Sequence, residues 1–85
     1  MKLGQVTWDD ILLGRSRKPQ EFISETCPVL RAIKRIVPNC TSVSQSGYVI
    51  REGKIPIPEI VKNWITAFDT KQEVFPFVFE LDVPN

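Results

Sequence analysis

The sequence predicts an α+β fold, with two or three helices packed on one face of a small three- to four-stranded, mainly antiparallel sheet. Three observations carry this expectation. Segments 28–37 and 58–69 repeat apolar residues at spacings of three and four, the helical period. Segment 75–81 alternates at period two, and segment 42–56 is broken by turn residues, both marks of strands. The predicted order is helix, loop, helix, hairpin, helix, strand. That order suits helices laid on one side of a sheet.

The first predicted helix covers residues 8–13. Thr7 followed by Asp10 forms a capping-box start, with aspartate in place of the usual glutamate. Trp8, Ile11 and Leu12 share one face, Trp8 is read as a core anchor, and Gly14 supplies a stop. Residues 15–26, RSRKPQEFISET, read as a loop, with Phe22 and Ile23 pinning its second half. The next helix begins at Pro28, where a missing N–H leaves nothing unbonded, with Thr26 or Cys27 as cap. Val29, Ile33, Ile36 and Val37 form its buried stripe, and Arg31, Lys34 and Arg35 its opposite side. Residues 42–56 read as a hairpin or small meander, with turns at Gly47 and at Glu52-Gly53. The third helix, from Pro58 to Asp69, sets Ile60, Val61, Trp64, Ile65 and Phe68 on one broad face. In the closing strand Phe75, Phe77, Phe79 and Leu81 point one way, toward Trp64 and Phe68. Pro76 belongs at the strand start or on an edge, because it cannot donate to a ladder.

Length and composition bound what the chain can be. Eighty-five residues make one domain, 1–85, with a thin core that a homodimer could extend. The net charge of +1 lacks the basic excess of a general nucleic-acid coat. Segment 1–14 holds one lysine and no long apolar run, so it does not read as a signal peptide. No run is apolar enough to span a membrane. The nine-residue helix between Cys27 and Cys40 spans about 14 Å, whereas bridged Cα atoms lie about 4.4–6.8 Å apart. Unless the chain folds back, these are free thiols, and the expected compartment is the cytoplasm.

The residue inventory excludes much chemistry. The chain has no histidine, so triads with an imidazole base are absent. Two cysteines without histidine do not make a zinc site, and the four glycines form no phosphate loop. Cys27 sits where a helix dipole favours thiolate, but no general base accompanies it. Glu80 and Asp82 share a strand face, more simply a solvent face than an acid pair. No catalytic residue, metal site or cofactor is expected.

From CPVLRAIKRIVP through WITAFD to PFVFEL, the layout resembles small uncharacterised α+β proteins of phages and mobile elements. The pieces that carry the resemblance are Cys27-Pro28, Ala32 to Arg35, Ile60 to Asp69, and Pro76 to Leu81. It covers about two thirds of the chain, mostly through fold-making residues, and brings no catalytic assignment. It implies a small accessory protein acting by contact, as an inhibitor or regulator of a host protein.

Three functions compete on these grounds. The first is a non-enzymatic protein-binding module using Arg31, Lys34, Arg35 and Tyr48 as surface contacts. The second is a nucleic-acid-binding accessory protein that grips phosphates with Arg15, Arg17, Lys18, Arg31, Lys34 and Arg35. The third is a homo-oligomer built by pairing the aromatic edge strand 75–81 with its symmetry mate.

Overall fold

A computed structural model describes residues 2–16 and 27–83. Among these residues the order is β1 (Lys2–Val6), α1 (Trp8–Arg15), α2 (Pro28–Ile36), β2 (Ser42–Ser44), β3 (Gly47–Ile50), β4 (Gly53–Ile55), α3 (Glu59–Asp69) and β5 (Phe77–Leu81). Among the described residues the fold is α+β, with three helices packed against antiparallel strands divided between two small sheets. One sheet is the pair β1–β5, and the other is the meander β2–β3–β4. The expected single sheet is thus replaced by two.

β1 is the element that sequence reading missed. Its inward positions in register with β5 are Gly4 opposite Phe79 and Val6 opposite Phe77, while Leu3 points outward. Periodicity therefore reads inverted, with a glycine facing the core and a leucine facing solvent. The reason is steric. A Cβ on Gly4 would lie 2.5 Å from Cζ and 2.6 Å from Cε2 of Phe79, so the ring occupies the place of a side chain.

α1 starts as expected. The Thr7 hydroxyl accepts from the Asp10 N–H, and an Asp10 carboxylate oxygen accepts from the Thr7 N–H at 2.9 Å. Gly14 does not stop the helix, which runs one residue further to Arg15. Its buried residues are Asp10 and Ile11, and Trp8 lies half-exposed rather than in the core. At 100° per residue, Trp8 and Leu12 lie about 110° and 150° around the helix from the midpoint of Asp10 and Ile11. A helix that turns Asp10 inward must turn Trp8 and Leu12 out.

Cys27 is the N-cap of α2 and Pro28 its first residue. Val29, Leu30, Ala32 and Ile33 are fully buried, with Val37 just beyond the helix end. In α3 Val61 and Ile65 are buried, Trp64 and Phe68 are half-buried, and Ile60 is exposed, narrowing the face expected from sequence. Trp64 stacks on Phe68 at 5.4 Å between centroids and on Phe77 at 5.3 Å, which meets the expected aromatic packing. Phe75 departs from it. It precedes the strand, remains exposed, and meets Trp8 edge to face at 6.1 Å. The Tyr48 hydroxyl donates to the Asp82 carbonyl and so ties the meander to the end of β5. Residues 17–26, with the loop expected there and the pinning by Phe22 and Ile23, lie outside the described residues.

Candidate functional site

The basic face of α2 is turned toward a single buried acid. Asp10 is 1% exposed, yet it is charged and bonded on both oxygens. Arg31 donates through Nε to Oδ1 at 3.0 Å. Arg35 donates through Nη1 to Oδ1 at 2.9 Å and through Nη2 to Oδ2 at 2.5 Å. Nη2 of Arg35 also reaches the Gln5 carbonyl at 2.6 Å. One carboxylate thus joins the capped start of α1 to α2, and Arg35 extends the link to β1. Burial pushes the Asp10 carboxyl up. The Arg35 guanidinium, the Thr7 N–H and the Arg31 guanidinium outweigh it and hold the group well below the usual carboxylate range. The Asp10 partnership in turn raises Arg35.

This arrangement changes the standing of each residue singled out from sequence. Arg31 and Arg35 are half-exposed, but their polar atoms face Asp10. Lys34 is exposed and has no carboxylate within salt-bridge distance among the described residues. Tyr48, expected at the surface, is fully buried in the core. An aromatic ring on the middle strand of the meander has no solvent face when the core packs on it. Arg15 lies across α3. Its guanidinium sits 4.3 Å from the Phe68 ring centroid and donates to the carbonyls of Phe68 at 2.9 Å and Gln72 at 2.5 Å. It neutralises the carbonyl-rich C-terminal end of α3, where cations are favoured. Arg17 and Lys18 lie outside the described residues. The expected convergence of six cations is not assembled among the four that are described. Arg15 serves α3, and Arg31 and Arg35 serve Asp10.

The remaining chemical candidates are placed as plainly. Cys27 and Cys40 are free thiols, and burial pushes both up, away from thiolate. The Cys40 thiol donates to the Ser42 carbonyl at 3.4 Å. Glu80 and Asp82 are exposed. No cluster of three or more potential metal ligands occurs among the described residues. A cleft of about 810 Å³ opens between the end of α1 and the turn after α3. Its rim carries Arg15 and Lys71 against Asp69 and Glu73, so neither sign of charge dominates.

Apolar side chains left on the outside form a surface feature that sequence reading did not find. Trp8 is 52% exposed, Leu12 61% and Phe75 58%. Trp8 and Leu12 are one turn apart on α1, hence neighbours, and Phe75 leans on Trp8. The signal was present in the capping box. A Thr7-x-x-Asp10 start, with arginines on another helix to receive the aspartate, turns the wrong face of α1 outward. No protein-family model, curated protein or solved structure matches the chain.

Proposed function

We propose that this chain is a small, non-enzymatic protein-binding module that works in the cytoplasm by contact. The observation that supports the reading most is the Trp8–Leu12–Phe75 surface. Two aromatic rings held edge to face, with a leucine beside them, are the kind of rigid apolar anchor that dominates protein interfaces. The partner is a protein presenting an apolar pocket of its own. The free thiols fit a reducing compartment, and no helix among the described residues is long and apolar enough to cross a membrane. The resemblance to phage and mobile-element proteins extends the proposal to an inhibitor or regulator of a host protein.

The surface proposed here differs from the Arg31, Lys34, Arg35 and Tyr48 set. Arg31 and Arg35 are engaged with Asp10, and Tyr48 is inside. Of the described cations in the nucleic-acid reading, Arg15 is held by the Phe68 and Gln72 carbonyls, so that reading rests on Lys34 together with Arg17 and Lys18. The test is a tagged capture from host lysate, with and without nuclease, using the native chain and the Phe75→Ser variant. One protein retained in both treatments and lost by Phe75→Ser supports the reading. Capture abolished by nuclease, or unchanged in Phe75→Ser, refutes it.

A further inference from the structure

We propose that β5 pairs antiparallel with β5 of a second copy, joining two two-stranded ribbons into one four-stranded sheet. The inference is independent of the apolar surface above and rests on the backbone edges. Among the described residues four strand edges end the two sheets, and three are blunted. Along β1, α2 packs closely and Arg35 donates to the Gln5 carbonyl at 2.6 Å. β2 has three residues, two of them serine, and β4 has three that include glycine and lysine. Very short strands and charged side chains, lysine above all, are among the ways proteins discourage edge pairing.

β5 is longer, five residues FVFEL, with no lysine and Glu80 as its one charged side chain. Among the described residues its backbone bonds to β1 and to no other segment. A two-stranded ribbon is stabilised by a helix packed on it or by further strands; α2 supplies the helix against β1, and a second ribbon adds strands on the β5 side.

The sequence of β5 selects a second copy of itself and fixes the register. Side-chain faces repeat every two residues, so a pairing that keeps both helical layers on one side places the two-fold axis through a residue. With the axis through Phe79, all five residues of the strand are paired. Phe77 then faces Leu81 of the partner subunit on the core side, and Val78 faces Glu80 of the partner subunit on the outer side. Moving the axis to Glu80 sets this acid against its own copy, and moving it to Leu81 sets Glu80 against Asp82. Moving it to Val78 sets Glu80 against Pro76, which has no N–H to donate. Only the Phe79 axis pairs the whole strand without opposing acids. The net charge of +1 adds little repulsion between copies.

The test is sedimentation of the full chain across the micromolar range, with charge placed at position 78. Val78 is 53% exposed and faces Gln5 within its own chain, so a charge there opposes no acid in the ribbon. The native chain should dimerise. Val78→Glu sets a carboxylate against Glu80 of the partner subunit at two symmetric places and should weaken the dimer about tenfold. Val78→Lys should keep or tighten it, and the charge exchange Val78→Glu with Glu80→Lys should restore it. Circular dichroism checks each variant for fold. If Val78→Glu fails to fold, the lysine variant and the exchange decide the matter. A monomer at every concentration overturns the proposal, as does a dimer that responds alike to glutamate and lysine.

Discussion

Replacing Asp10 by asparagine should remove a large part of the stability of this protein. The amide has nearly the same volume, so no cavity forms, but its charge is gone and its N–H groups face guanidinium groups. Three arginine bonds to the carboxylate are affected. Hydrogen bonds to charged groups contribute about 1.5–3 kcal/mol each. The Arg31 and Arg35 side chains are 39% and 44% exposed, so water replaces part of what they lose. Counting about 1 kcal/mol per bond gives a loss of about 3 kcal/mol. A domain of this size has roughly 4–13 kcal/mol in total, and the melting temperature should fall by about 15 °C. Urea unfolding at neutral pH, followed by circular dichroism, measures the loss. A loss under about 0.5 kcal/mol, the ordinary scatter of surface substitutions, would refute the buried-clamp reasoning.

The same pair of proteins carries a pH test. Asp10 is held below its unfolded value, so its contribution is full above the unfolded pKa of about 3.9. It is lost as pH falls from about 5 toward the folded value. The stability gap between native and Asp10→Asn protein should therefore be constant near neutrality and about 1 kcal/mol narrower at pH 3. A gap that widens in acid would mean that the carboxyl is raised by burial instead.

Other outcomes follow from single contacts. Gly47 has φ of 140°, and a Cβ there would strike the Ile55 carbonyl oxygen across the β3–β4 pair. Gly47→Ala should therefore destabilise by about 2 kcal/mol in urea unfolding, from backbone strain plus the clash. Tyr48→Phe removes only the hydroxyl that donates to the Asp82 carbonyl and should cost about 1 kcal/mol, also read by urea unfolding. Trp8→Ala should cost under about 1.5 kcal/mol because half the ring is already in water, whereas Ile33→Ala, fully buried, should cost about 2–5 kcal/mol. Calorimetry that ranks these two the other way would return Trp8 to the core.

The sequence alone determined the α+β class, the three described helices, the capped start of α1, the meander and the closing aromatic strand. Each depends on local information: a capping box at Thr7 and Asp10, a proline at the start of α2, and the periods of three to four and of two. It could not show β1, because Gly4 faces the core to admit the Phe79 ring and leaves no apolar alternation to read. Nor could it tell which residues of an amphipathic helix finally meet water. Arg31 and Arg35 had the spacing of a solvent-facing basic surface, and Trp8 had the character of a core anchor. The tertiary structure reversed both with one contact. Bringing α1 against α2 buries Asp10, the arginines turn to it, and Trp8 is carried around the helix to the surface beside Phe75. A buried carboxylate without its arginines would cost several kcal/mol. That contact, made between residues more than twenty positions apart, therefore decided which side of α1 faces inward.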